Sequence, residues 1–210
     1  IGKDDTLYAA TPPLEALRWI LSFAATRPRG RSARRSVMIN DVRRAYFYAK
    51  IQRDVYIEVP KEDPRAGPGV IGKLKLCLYG TRDAAKGWQE ELSQQLEGIG
   101  FIRGLGHPSV FWQPEKEICT IVHGDDYVSS GGDSELLWLE SELGKAYEIK
   151  TQKLGLSDGW ESQGKVLNRI VSCTSAGWTV EADPRHAELI VEQLGVGEAR
   201  AVVSPGVDGA

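Results

Sequence analysis

The apolar run Ile118-Cys119-Thr120-Ile121-Val122 breaks at His123-Gly124-Asp125-Asp126, and a second short run from Tyr127 ends in Ser129-Ser130-Gly131. Two β-rich runs across a short break holding Gly and Asp predict a β-hairpin with two carboxylates at its tip. In a flat strand consecutive acids point to opposite faces, whereas a tight turn brings both toward one side. Asp4-Asp5 lacks an apolar run on either side, so the meaning of the tip rests on its flanking strands and not on the dipeptide.

A chain of 210 residues with 41% hydrophobic and 26% charged residues is long enough to bury a core without disulfides. Cys77, Cys119 and Cys173 are odd in number and widely spaced, and His107, His123 and His186 are equally scattered, which argues for buried thiols and against a zinc site. No apolar window reaches membrane-spanning length and no signal peptide opens the chain, so an intracellular protein of cytoplasm or nucleus, with no membrane partner, is expected. The first residue is Ile, and the chain is expected to be a piece of a longer one. Net charge is −3, yet the stretch from Arg27 to Arg53 carries +8 and the remainder −11. A basic strip beside an acidic body suits a phosphate-rich partner next to a metal-binding cluster.

Thr11-Pro12-Pro13 predicts an N-capped helix to about Ala25, followed by a basic loop and a buried strand Val37 to Asn40 ending at Asp41. Asp54 to Val59 alternates as a half-buried strand, and Pro60 to Gly72 is a turn-rich excursion. A helix capped near Asp83 carries Trp88, Leu92, Leu96 and Ile99 on one face until Gly100. Strands at 109–113 and 118–122, the hairpin partner at 127–130, a helix from about Ser134 and a strand near Ile149 complete the pattern. From Val37, and leaving aside the strand at 109–113, the order is strand, helix, two hairpin strands, helix, strand: the α+β, ferredoxin-like βαββαβ arrangement.

That order sends Asp41, at the end of the first strand, and Asp125, at the hairpin tip, to neighbouring positions on one sheet edge. Clustered carboxylates suit Mg2+, a hard ion that prefers oxygen ligands and leaves positions open for phosphates. Two such ions about 3.5–4 Å apart serve in-line phosphoryl transfer.

Three motifs follow in sequence: Asp41-Val42-Arg43-Arg44-Ala45-Tyr46-Phe47, the segment from Lys73 through Leu78-Tyr79-Gly80 to Trp88, and the Asp125-Asp126 tip. Together they resemble the reverse transcriptase domain of copia-type LTR retrotransposon Pol polyproteins, over about Thr11 to Gly195. The resemblance implies a polymerase palm at 37–151, partial fingers made of a helix and basic loop at 1–36, and at 152–210 a palm-to-thumb connection and tail with a C-terminal strand and helix. It implies an RNA-directed DNA polymerase, a nucleotidyltransferase joining dNTPs to a primer 3′-hydroxyl on an RNA or DNA template. Asp41, Asp125 and Asp126 would be catalytic and hold two Mg2+ ions, or Mn2+ in their place. Tyr46 would exclude a ribose 2′-hydroxyl, Tyr79 and Gly80 would border the incoming nucleotide, and Arg43 and Arg44 would lie on the nucleic acid. The rest of the Pol polyprotein would be a partner, with finger strands before Thr11 and thumb and RNase H after Leu194.

Two departures stand out. His123-Gly124 replaces the family's Tyr-Val, and Ala85 stands where the family carries Pro. Gly124-Asp125-Asp126 also spells the third motif of RNA-dependent RNA polymerases, although those enzymes tend to carry an acid where this chain has Tyr46. Gly131-Gly132-Asp133-Ser134-Glu135 suggests a nucleotide cyclase of the same topology, but reads more simply as a helix cap. A catalytically idle transposon remnant acting as a binding domain is the alternative from outside the enzymes.

Overall fold

The computed structural model describes residues 11–30 and 33–198. Asp4-Asp5, Arg31 and the end of the 152–210 segment lie outside the described residues, as do the side chains of Leu14 and His186. The first elements are helix α1 (Leu14–Ala24), strand β1 (Ser36–Val42), a 3-10 turn (Ala45–Tyr48) and strands β2 (Tyr56–Glu58) and β3 (Ile71–Lys73). Helix α2 (Ala84–Gly98), strands β4 (Ile102–Arg103), β5 (Val110–Gln113), β6 (Ile118–His123) and β7 (Asp126–Gly131), and helix α3 (Asp133–Ala146) come next. Strands β8 (Ile149–Leu154), β9 (Gln163–Val166), β10 (Arg169–Thr174) and β11 (Gly177–Ala182) and helix α4 (Arg185–Leu194) complete a mixed α/β chain.

Six strands form one sheet in the order β4-β5-β6-β7-β1-β8, with every neighbouring pair antiparallel. Successive strand residues alternate faces, and the sequence uses both faces for burial. Met38, Val42, Ile118, Val122 and Tyr127 pack on Trp88, Leu92 and Leu96 of α2 and on Leu136, Leu139 and Leu143 of α3. Val37, Cys119, Ile121 and Val128 pack on the other side against Leu17, Ile20, Leu21 and Ala24 of α1, joined there by Val166 and Val171. Strand β6 is therefore covered on both sides, which is why it reads as a continuous apolar run and not as an alternation. Burial of a Leu, Ile or Phe side chain contributes about 1.5–3 kcal/mol. Cys77, Cys119 and Cys173 are free and buried, as their spacing implies.

Several local expectations are corrected. Pro13, not Thr11, occupies the cap of α1 and makes no side-chain cap bond. The expected strand 54–59 shortens to β2, and it pairs with β3 out of the turn-rich excursion to form a separate two-stranded ribbon. Asp83 stands at the α2 cap without a side-chain cap bond and instead accepts a hydrogen bond from Arg53 at 3.1 Å. Gly132 caps α3, and Asp133 accepts hydrogen bonds from the Ser36 and Ser157 hydroxyls. A three-stranded sheet β11-β10-β9 stands where a simple strand and helix were expected. No described helix is long and apolar enough to cross a membrane.

Candidate active site at the β1 end and the β6–β7 turn

Pairing of β1 with β7 sets Asp41 directly opposite Asp126. Cross-strand partners share a face, here the face of Val37 and Val128. On the other side of β7, His123 of β6 is the partner of Asp126, leaving Gly124-Asp125 as a two-residue turn. Gly124 has φ +64° and Asp125 is not left-handed, the pattern of a II′ turn, which favours Gly at its first central position. Where Gly124 stood in the sequence as the loss of a β-branched residue, the backbone gives a local reason for it. A Cβ at Gly124 would meet nothing within 4 Å, so a side chain there would cost backbone strain and not a clash.

Both carbonyls of the turn are anchored. The Trp88 indole Nε1–H donates to the Gly124 oxygen at 2.7 Å, and the Val42 backbone N–H donates to the Asp125 oxygen at 3.0 Å. Trp88, 1% exposed, belongs to the α2 core and also holds the turn in place. The sequence marked Trp88 as a core aromatic, but nothing in its helical spacing announced the bond.

Asp125 and Asp126 are half-buried, as is Asp41. Burial, then the Asp125 and Asp41 carboxylates, push the Asp126 pKa up, against a smaller opposing effect of His123. The folded state thus binds this proton more tightly than the unfolded chain. Stability falls as pH rises out of the ordinary carboxylate range and through the folded pKa. Asp126→Asn, which removes the charge, is expected to raise Tm at about pH 7.5 by about 2–4 °C, on the scale of a 1 kcal/mol gain. The gain should shrink as pH falls and vanish below the ordinary carboxylate range, where the wild-type carboxyl is protonated in both the folded and the unfolded state; a gain that does not change with pH would rule out the charge as cause.

Tyr46 and Tyr79 are brought together beside these acids, with ring centroids 4.4 Å apart and tilted by 39°. Phe47 meets Tyr79 edge-on at 5.9 Å. The Tyr79 hydroxyl has its pKa raised by burial and by Asp125, which places it within the field of the acids. Gly80 follows at φ +89°, exposed. A mostly apolar cavity of about 250 Å³ is lined by Tyr46 together with Trp88, Leu92, Phe111 and His123-Gly124.

Arg43 and Arg44 are exposed and both are tied to Glu148, Arg44 at 2.9 Å. Sequence reasoning missed Glu148, since one acid in Tyr147-Glu148-Ile149 carries no pattern. Three more cations of the basic strip are engaged within the chain. Arg35, 6% exposed, pairs with Glu117 at 2.6 Å and lies 4.1 Å over the Phe23 ring; Arg34 donates to the Ser175 carbonyl, and Arg53 pairs with Asp83. Arg35, Arg53 and the Arg43–Arg44 pair thus each meet a different acid.

Carboxylates beside one another and a half-buried Asp126 with a raised pKa form a donor set suited to a hard cation, whose charge would relieve their repulsion. Among the described residues, no three Asp, Glu, His or Cys side chains are gathered closely enough to chelate an ion as they stand, so the carboxylates would have to turn toward one another to do so.

Comparison with known proteins places this chain. It is 24% identical over 185 residues to the Retrovirus-related Pol polyprotein from transposon TNT 1-94 of Nicotiana tabacum, an overlap covering 80% of this chain and 14% of that protein. It is 33% identical over 100 residues to the corresponding polyprotein from transposon RE1 of Arabidopsis thaliana, covering 46% and 7%. The truncated transposon Ty1-A Gag-Pol polyprotein of Saccharomyces cerevisiae is 31% identical over 121 residues, covering 56% and 10%. This chain is similar to a region of retrotransposon Pol polyproteins. It spans only a small part of their length. No family model matches it. A solved structure of apo telomerase from Candida tropicalis, truncated from its C-terminal domain, shares 10% identity at TM-score 0.49 over 81% of this chain and 40% of that one, too slight a likeness to carry weight.

Proposed function

We propose that this chain is the palm-bearing part of a reverse transcriptase, an RNA-directed DNA polymerase that adds dNTPs to a primer 3′-hydroxyl. The observation that carries the reading is the Asp41–Asp126 pairing with Asp125 on the adjoining turn. The similarity to Pol polyproteins supports it. The ferredoxin-like palm would be the β1, β6, β7 and β8 sheet backed by α2 and α3, between the partial fingers of residues 1–36 and the thumb connection of 152–210.

Asp41 and Asp125 would hold two Mg2+ ions with help from Asp126. Those ions, when bound, lower the cost of ionising the primer hydroxyl and of releasing pyrophosphate. The chain's own residues do the placing. The Trp88 and Val42 bonds to the turn fix where Asp125 sits relative to Asp41. Tyr46, backed by Tyr79, would lie under the sugar of the incoming nucleotide and leave no room for a 2′-hydroxyl. Tyr79 and Gly80 would border that nucleotide, and Arg43 and Arg44, once released from Glu148, would meet nucleic-acid phosphate.

The test is primer extension by a Pol polyprotein segment containing these 210 residues with their natural flanks, on an RNA template with Mg2+ and dNTPs. Incorporation is expected, and Tyr46→Val is expected to admit ribonucleotides at least about tenfold more readily, about 1.4 kcal/mol of lost discrimination. No incorporation, with Mg2+ bound equally by wild type and Asp41→Asn, would overturn the reading; unchanged sugar selectivity in Tyr46→Val would overturn the role of that ring.

A further inference from the structure

The 3-10 turn that carries Tyr46 is short, and a 3-10 turn has poorer hydrogen-bond geometry than an α-helix. It is entered through Arg44 at φ +56°, a left-handed conformation in a residue with a side chain. Such a conformation costs about 1–3 kcal/mol and persists only where the surroundings determine it. The 3-10 turn supplies little of that determination by itself: its N-cap position has no side-chain cap bond.

Ring contacts of Tyr46, Phe47 and Tyr48 hold its side chains, and one residue on a distant part of the chain binds both of its ends. The Glu148 carbonyl accepts the Arg43 backbone N–H at 2.9 Å, and the Glu148 N–H donates to the Tyr48 hydroxyl at 2.9 Å. The Glu148 carboxylate accepts from the Arg43 guanidinium with one oxygen and from Arg44 with the other. Glu148 thus holds the residue before the left-handed position, that position itself and the last residue of the turn, with Tyr46 between them. Exposed ion pairs contribute little to global stability; the value of these bonds is directional, because four of them converge from one residue on a segment of six. Glu148 itself is fixed, since the next residue, Ile149, begins β8 and pairs with Val42 of β1, adjacent to Asp41.

We propose that Glu148 is a positioning residue whose carboxylate, added to its two backbone bonds, holds the Tyr46 turn against the end of β1, setting the Tyr46 ring relative to the site carboxylates and so setting sugar selectivity. The selectivity half rests on the polymerase reading; the positioning half does not. Loss of the clamp leaves the Trp88 and Val42 anchors of the Asp125 turn intact, so it acts on Tyr46 while the acids stay in place.

The test places 3-fluorotyrosine at Tyr46 in the full chain and follows its 19F resonance in wild type, Glu148→Gln and Glu148→Ala, with thermal melts as a control for folding. The two substitutions guard against misfolding: Gln keeps the shape and one acceptor, Ala removes both. A resonance that shifts or broadens in Glu148→Ala, less in Glu148→Gln, and that moves toward the variant position as salt screens the ion pairs in wild type, supports the clamp. A resonance unmoved in both folded variants overturns it, whatever the enzymatic activity. In the flanked polymerase, the ratio of dNTP to rNTP incorporation is expected to fall at least about fivefold in Glu148→Ala while dNTP incorporation alone falls less. A ratio unchanged despite a shifted resonance overturns the selectivity half, and a wild-type segment that incorporates nothing overturns the polymerase reading while the 19F result still decides the clamp.

Discussion

Trp88→Ala is expected to destabilise the protein by about 3–5 kcal/mol, the range for removing a fully buried large aromatic. The ring is 1% exposed and meets Tyr147 edge-on at a centroid distance of 5.2 Å, with Tyr48 at 6.5 Å. Trp88→Phe separates packing from the bond to Gly124. It keeps most of the apolar volume and removes only the indole donor, so its cost should be nearer 1–2 kcal/mol, the lost hydrogen bond plus a small void. Chemical denaturation of the two variants measures the difference. The second readout is local: in Trp88→Phe the amide signals of Gly124 and Asp125 should shift and exchange faster while those of β8 stay put. A turn unmoved in Trp88→Phe, with stability close to that of wild type, would show that the bond positions nothing; destabilisation equal to that of Trp88→Ala would overturn the packing share of the cost.

The second large effect concerns the acids. On the polymerase reading, Asp41→Asn and Asp125→Asn are each expected to lower primer extension by more than about 100-fold, since even loss of an outer partner of a metal ligand costs 10–100-fold. Asp126→Asn should cost less activity than either, because Asp126 is assigned a supporting role. Isothermal titration with Mg2+ should show weakened binding in the same rank. Relief of like-charge repulsion should leave all three variants at least as stable as wild type at neutral pH. Reduced activity with reduced stability would point to damaged folding and not to lost ligands. Activity ranked with Asp126→Asn lowest would reverse the assignment of roles.

Much of this was readable in the chain because hydrophobic pattern specifies faces. The runs at Val37 and Ile118 gave the central strands, Leu92 and Leu96 gave the inner side of α2, and Leu136, Leu139 and Leu143 gave that of α3. The approach of Asp41 to the hairpin tip follows from that pattern and from hairpin geometry, but the register makes Asp126, not Asp125, its direct partner. What stayed hidden was short or polar. Strand β4 has two residues and β3 three, too few for any period to show. Strand β11 lies mostly at the surface and lacks an apolar alternation. The partners of the basic strip were hidden because composition records charge but not its partner: Glu117, Asp83 and Glu148 lie 82, 30 and 104–105 residues from the arginines they meet. Gly124 shows the reverse case, where a residue type that stood as a loss in a motif is explained by a backbone angle.

The position of β1 in the sheet bears on how the chain reaches its native state. Strands β5, β6 and β7 are joined by short turns and pair with their immediate neighbours in sequence. Strand β1 must slot between β7 and β8, pairing Ser36 with Gly131 and Val37 with Leu154. Contacts across such separations are slow to form, because loop closure costs entropy before the pairing repays it. The Asp125-Asp126 turn is therefore expected to exist before Asp41 arrives, so that the acidic cluster is completed in a late folding step. Pulse-labelled hydrogen exchange during refolding should protect Ile118–Val122 ahead of Val37–Asn40; simultaneous protection would show that the meander does not form independently. On this view the repulsion among the three carboxylates opposes only the last stage of folding, and a cation that binds all three would speed completion of the sheet without altering how it begins.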